Sequence, residues 1–204
     1  MDAEFRLMPH YDENGYDAVL FNVEDGMFGV FDGMGTSEDS RQAAIKVRDS
    51  FVNWKGSFEH MASNINSQAF QIDRGGTTAT VVKCSQWGLE YAHIGDSRLY
   101  VLSNNRIKQI TADEGFENIL YNYVGSGTRG VCQAGYIPSS NWDKFIICSD
   151  GVTGDYGSQL ISDIQLENIL NSTDNPKEAI SKIIEISTKP DDKSLIVVFK
   201  SVDK

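Results

Sequence analysis

Four short runs between Gly76 and Thr111 limit what this chain can fold into. Thr77–Cys84, Leu89–Ile94, Arg98–Leu102 and Ile107–Ile110 have the composition of strands, and little more than SQWG, GDS and NN separates them. Those separators are turn chemistry, and strands joined by turns this short run antiparallel. Further strands are read at Asp17–Asn22 and Met27–Phe31, around a Glu24-Asp25-Gly26 turn, and at Lys144–Cys148 and Leu195–Phe199. Helical signals stand apart from them. Ala44, Val47 and Phe51 recur at helical spacing behind Thr36 and Ser37, which can cap. A second helix is expected over Phe58–Phe70. Two more precede the last strand, and the second of these opens on Asp174-Asn175 with Pro176 in its first turn. FRLM, which carries Arg6, is a candidate first strand. Phe116 to Ser140 shows no period and is expected to be irregular. Strands in succession followed by paired helices are not βαβ alternation. The expectation is therefore an α+β fold, with antiparallel sheets and helices on their outer faces.

The length, 204 residues, suits one domain, and 40% hydrophobic residues can build a core. A formal net charge of -11 repels phosphate backbones and anionic bilayers, so neither nucleic acid nor membrane is expected as a partner. The N-terminal MDAEFRLMPHYDE lacks the basic and apolar stretches of a secretion signal, and no apolar run is long enough to span a bilayer. Cys84, Cys132 and Cys148 are odd in number and scattered, which suits reduced, mostly buried thiols and a cytoplasmic protein.

Acids mark the strand ends. FGVFDG ends a strand on Asp32-Gly33, and KFIICSDG ends another on Asp150-Gly151. LEYAHIGDS places Asp96 just past a third, and PDDKSLIVV places Asp191 and Asp192 just before the last. Asp-Gly is a favoured turn pair, and for one such pair the turn is the better reading. Four acids at strand termini are equally compatible with a cluster at one sheet edge. Carboxylate and carbonyl oxygens gathered there are ligands for Mg²⁺ or Mn²⁺, and a glycine after the acid lets the backbone approach.

Taken in order, FGVFDGMG, GGTTATVV, YAHIGDSRLYVL, FIICSDGVTG and DDKSLIVV resemble the metal-dependent protein serine/threonine phosphatases of type 2C. Asp-Gly-Met-Gly is the form of the bacterial members. The resemblance runs from about Asp17 to Phe199. It implies two antiparallel β-sheets forming a central sandwich flanked by helices, in α-β-β-α layers, with residues 1–204 as one domain. It implies hydrolysis of phosphoserine and phosphothreonine in proteins by a hydroxide bridging two Mn²⁺ or Mg²⁺ ions. Carried over by residue, Asp32 bridges the ions, the Gly33 carbonyl ligates one, and Asp150 and Asp191 complete the other. Asp96 matches an acid used for a third, weaker ion, and Asp17 one that hydrogen-bonds metal-bound water. A phosphorylated protein as substrate, a cognate serine/threonine kinase and a monomeric state are also implied.

Departures from the family pattern fall mainly near the N-terminus. The family grips phosphate with an Arg that YDENGYD does not contain, and Tyr16 stands where an acid or amide is usual. Arg6 is the upstream candidate for that grip; the other reading is a surface Arg on an edge strand. Met34 replaces a histidine of some members, Asp192 and Ser194 stand for Asn and Thr, and Asp155 is shifted by one from a commonly acidic position. Two rival functions remain open at this level: a catalytically silent relative that binds phosphoproteins or a partner, and a phosphatase of a small phosphorylated metabolite.

Other features point elsewhere and are weaker. GSGTRG at Gly125–Gly130 has dinucleotide-loop spacing, but no helix pattern follows it, so a flexible loop is expected. His10, His60 and His93 lack zinc spacing, and His93 reads as a satisfied core or edge residue.

Overall fold

The structure, a computed structural model, describes residues 1–54, 56, 58–69, 71–116, 119–125 and 131–201. In chain order the strands are Asp2–Met8 (β1), Ala18–Asn22 (β2), Met27–Phe31 (β3), Ala79–Ser85 (β4), Gly88–Ile94 (β5), Arg98–Ser103 (β6), Arg106–Gln109 (β7), Gly115–Phe116 (β8), Ile119–Leu120 (β9), Gln133–Pro138 (β10), Lys144–Cys148 (β11) and Lys193–Phe199 (β12). The helices are Glu38–Val52 (α1), Phe58–Ala69 (α2), Asp150–Thr153 (α3), Asp163–Asn171 (α4) and Pro176–Ile186 (α5). Two five-stranded sheets result, ordered β1-β12-β11-β6-β7 and β10-β5-β4-β3-β2, and every pairing within them is antiparallel.

Side-chain alternation along the strands explains the layering. In β3, Phe28 and Val30 point to one side, where they meet Leu99, Phe145, Ile147, Ile196 and Val198 from the other sheet. Met27 and Phe31 point to the opposite side and pack with Ala44, Val47 and Phe51 of α1 and with Met61 and Ile65 of α2. The second sheet behaves alike: Ile146, Cys148, Leu195 and Val197 face outward onto Leu166 and Leu170 of α4 and Ala179 and Ile183 of α5. The result is helices, sheet, sheet, helices. Strands covered on both faces carry apolar residues at successive positions, as KFIIC and LIVVF do, rather than an alternation of apolar and polar.

Local chemistry bounds the helices where expected. Ser37 caps α1 by accepting from the Ser40 N–H at 3.2 Å, with Glu38 and Asp39 in the positive first turn. Asn175 caps α5 by accepting from the Glu178 N–H at 2.9 Å, with Pro176 opening the helix. Within the described part of Phe58–Phe70, α2 ends at Ala69.

One segment corrects the expectation. The stretch read as irregular, Phe116 to Ser140, contains β10, paired to β5 from Gln133 opposite His93 to Pro138 opposite Gly88. Its half-buried positions are Gln133, Gly135 and Ile137, while Ala134, Tyr136 and Pro138 face out. An edge strand whose inward positions are a glutamine, a glycine and one isoleucine, with Ala134 and Tyr136 facing out, has no hydropathy period to read. It holds by main-chain hydrogen bonds instead. Of GSGTRG, residues 126–130 lie outside the described residues.

Antiparallel pairing sets one strand's end beside its neighbour's start. Phe31 lies opposite Ala18, Ile94 opposite Ala79, and Cys148 opposite both Arg98 and Leu195. The acids next to those residues in sequence therefore share one end of the sandwich.

Candidate active site

At that end lies a cleft of about 230 Å³ whose lining includes Asp17, Asp32, Gly33, Asp96, Asp150 and Asp191. All but one of the site residues expected from the sequence are thus brought together. Asp32 directly follows β3, and its backbone is clamped by β4: its N–H donates to Thr78 Oγ1 at 3.0 Å, and its carbonyl accepts from the Thr77 hydroxyl at 2.9 Å. Asp150 opens α3, directly after β11 and Ser149. Asp191 and Asp192 directly precede β12.

The two glycines have a steric reason rather than a turn reason. A Cβ on Gly33 would lie 2.4 Å from the Tyr16 carbonyl oxygen, and one on Gly151 only 1.8 Å from that of Asp192. Each Asp-Gly is a place where a second backbone closes over the strand end.

Arg6 is not brought to this end. In β1 it sits opposite Leu195, whose side chain faces the helix layer, and it lines a surface groove with Lys177, Ile180, Ser181 and Ile184 of α5. Pairing of β1 along β12 forces this, because cross-strand partners share a sheet face. The surface reading of Arg6 is the one this placement matches.

The clustered acids disturb one another. Burial pushes Asp17 up to about 7 from 3.8, and the charges of Asp192 and Asp150 add to the rise, while the Ser194 hydroxyl, donating at 2.7 Å, opposes it. Burial likewise lifts Asp96 to about 7, aided by the charge of Asp150. Asp32 is held well above the usual carboxylate range by burial, then by Asp17, Asp150, Asp96 and Asp191. Burial raises Asp150 as well, although the Lys189 ammonium pulls it back.

The structure adds Lys189 and Arg41 to the site and gives Asp155 and Asp192 contacts that the sequence leaves unassigned. Lys189 places its ammonium 2.5 Å from Asp150 Oδ2, 3.0 Å from Asp155 Oδ1 and 3.0 Å from Asp191 Oδ2. Asp155, one position off the family pattern, still reaches the cleft. Asp192 is an acid of another kind. It spends one oxygen on the His10 N–H at 2.6 Å and the other on the Tyr16 N–H at 2.5 Å, tying the 10–16 loop down beside the cleft. Arg41 braces that loop by donating to the Gly15 carbonyl at 2.6 Å, pairing with Asp12, and lying 4.7 Å over the Tyr16 ring. Below the cleft, Arg98 grips Asp113 with both partners 2% exposed, and donates to Thr153 of α3 at 2.9 Å. That links the strand after Asp96 to the helix that begins with Asp150.

The set fits a hard divalent ion. Its donors are all oxygens, four of its carboxylates are held protonation-prone by burial and mutual charge, and a cation, the Lys189 ammonium, already stands against two of the expected ligands. Among the described residues, no three acidic, imidazole or thiol groups stand preformed as a coordination shell.

Among the described residues, no histidine or cysteine side chain lines the cleft. His93 is fully buried and bonds Thr80 Oγ1 at 2.8 Å, as a satisfied core residue does. Cys84, Cys132 and Cys148 are free thiols, and burial pushes the Cys148 thiol up to about 12, far from a nucleophilic thiolate. Among the described residues, no helix is long and apolar enough to cross a membrane.

Comparison with known proteins gives a consistent picture. Residues 9–119, more than half of the chain, match the family model for protein phosphatase 2C. The serine/threonine phosphatase stp of Listeria welshimeri is 26% identical over 219 residues, covering 84% of this chain and 84% of its own. The stp protein of Listeria monocytogenes is also 26% identical, with the same coverage. Among solved structures, the serine/threonine phosphatase Stp1 from Staphylococcus aureus superposes with a TM-score of 0.84 at 20% identity, over 99% of this chain and 96% of that one. The catalytic domain of the phosphatase PstP, solved in complex with 2 manganese ions, gives 0.75 at 20% identity over 96% of each chain.

Proposed function

The chain belongs to the protein phosphatase 2C family, and from that premise we propose that it hydrolyses phosphoserine and phosphothreonine in proteins, with residues 1–204 acting as one phosphatase domain. The observation that carries this reading is the convergence of Asp17, Asp32, Asp96, Asp150 and Asp191 in one cleft at the end of the sandwich. In this reading Asp32, the Gly33 carbonyl, Asp150 and Asp191 hold two Mn²⁺ or Mg²⁺ ions, and Asp96 holds a third more weakly. Held there, the ions supply Lewis-acid charge, acidifying a water nucleophile and offsetting the charge of the phosphoryl oxygens.

The residues of the chain do the rest. Asp17, fixed by Ser194 at 2.7 Å, is placed to accept a proton or orient a water. The Thr77 and Thr78 hydroxyls hold the Asp32 backbone still. Tyr11, Tyr16 and Met34 form part of the cleft wall. Arg6 is left out of the proposal because it faces α5. The partners in this reading are a phosphorylated protein and the kinase that produces it.

A second reading has its own support. The ammonium against Asp150 and Asp191, and the lack of an arginine among the described residues lining the cleft, suit a catalytically silent phosphopeptide-binding relative. Hydrolysis of an aryl phosphate and of a phosphothreonine peptide, each with Mn²⁺ and with a chelator, separates the two. Turnover that requires added metal is expected. Tight phosphopeptide binding without turnover at saturating Mn²⁺ would establish the silent relative instead.

A further inference from the structure

Lys189 has no role in the ligand set proposed above, yet it occupies the centre of one half of it. Its side chain is 14% exposed; its ammonium donates to Asp150 and Asp155 and forms an ion pair with Asp191 at 3.0 Å. The segment that carries it is held on both sides. Lys193 donates to the Lys189 carbonyl at 2.5 Å and to the Asp191 carbonyl at 3.3 Å, and the Tyr11 hydroxyl donates to the Pro190 carbonyl at 3.2 Å. Pro190 restricts the backbone between them. The lysine is therefore presented to the cleft by a pinned turn, not draped over it from a loose loop.

A divalent ion ligated by Asp150 and Asp191 would sit roughly 2.1 Å from oxygens that the ammonium already contacts. Two like charges that close repel strongly in a partly buried cleft. We propose that Lys189 is an internal counter-ion for the Asp150–Asp191 half of the site, so that a divalent ion enters that half only by displacing the ammonium. This rests on the reading of Asp150 and Asp191 as metal ligands. The consequence is an uneven site. The half formed by Asp32 and the Gly33 carbonyl has no ammonium to displace and fills first. The other half fills at higher ion concentration, and Lys189 sets that threshold.

The test is Mn²⁺ binding, measured by calorimetry and by the electron paramagnetic resonance of free Mn²⁺, in the wild-type chain and in Lys189→Gln. Wild type is expected to bind one ion tightly and a second weakly. Lys189→Gln is expected to tighten the weaker site by about tenfold or more, equivalent to about 1.4 kcal/mol. Because the variant leaves three carboxylates unpaired and can fail to fold, a second measurement uses wild type alone. Amine acetylation read by mass spectrometry is expected to spare Lys189 in the metal-free chain and to modify it once Mn²⁺ saturates the site. Equal second-site affinities in the two proteins overturn the proposal while leaving the metal reading intact, and so does a Lys189 whose reactivity Mn²⁺ does not change. No Mn²⁺ binding by either protein overturns the metal reading and this proposal with it.

Discussion

Asp150 meets two opposing influences in the cleft. Burial and neighbouring acids favour its neutral form, while Lys189 at 2.5 Å favours its carboxylate; the balance leaves its pKa raised. A raised pKa means that the charge costs the fold more than the ion pair returns. Asp150→Asn removes that charge at nearly constant volume. The metal-free variant is expected to melt no lower than wild type, and higher if Lys189 remains satisfied by Asp155 and Asp191. Turnover is expected to fall by roughly a hundredfold or more, because losing a ligand charge removes transition-state stabilisation. Thermal melting with a chelator and steady-state kinetics at saturating Mn²⁺ check the two halves of this statement. Wild-type turnover in the variant would remove Asp150 from the ligand set.

Strand ends rather than whole strands build the site, and the glycines are the parts of those ends least open to change. A Cβ at Gly151 would fall 1.8 Å from the Asp192 carbonyl oxygen, a backbone atom that cannot rotate away. Gly151→Ala must therefore push α3 and the start of β12 apart, which moves Asp150 relative to Asp191. A loss of about 1–3 kcal/mol of stability is expected, read from a denaturant midpoint, together with weakened Mn²⁺ binding. An unchanged midpoint would mean that the two backbones part without cost. Elements of this kind differ in how far sequence reveals them. β3, β11 and β12 are buried on both faces, so MFGVF, FIIC and LIVVF within them announce themselves as apolar runs. β10 is an edge strand with Gln133 and Gly135 on its inner side, and composition conceals it. The acids were legible because each stands near the beginning or the end of an apolar run. Lys189 was not, since its part depends on where the turn before β12 aims a long flexible side chain. Its sequence signal, a lysine and a proline directly before Asp191-Asp192, means something only once Asp150 and Asp155 are known to lie within 3.0 Å of its ammonium. Arg6 shows the converse: a residue type with the right chemistry, placed by strand register on the helix-facing side of the sheet.

For the molecule as a whole, the buried acids make stability depend on pH in a direction opposite to that of most salt-bridged carboxylates. Asp17 and Asp96 titrate near 3.8 when unfolded and at about 7 in the fold. Between those values the native chain holds more protons than the unfolded one, so stability declines as pH rises. The contribution is complete below the unfolded pKa and is lost as pH passes through 7. For one group a rise of this size corresponds to at most about 4 kcal/mol, and the groups interact, so their effects do not add. Lys189 does not reverse the slope in this window: its own burial opposes its charge, but Asp150 and its neighbours outweigh that and raise its pKa, so it stays charged throughout. A formal net charge of -11 pushes the same way, because the folded surface repels itself more as pH rises. Salt separates the two causes, since ~1 M salt screens exposed charges over about 3 Å but screens buried pairs much less. The metal-free chain is therefore expected to melt lower at about pH 8 than at about pH 5 even in high salt. Saturating Mn²⁺ is expected to flatten or invert that slope, because ions bind the deprotonated ligands and so bind better as pH rises. Melting temperature across the window, with chelator and with Mn²⁺, measures both. A metal-free melting temperature that climbs with pH in high salt would show that these carboxylates are ionised at little cost, and the cleft would then be a solvated acidic surface rather than a site that needs a cation.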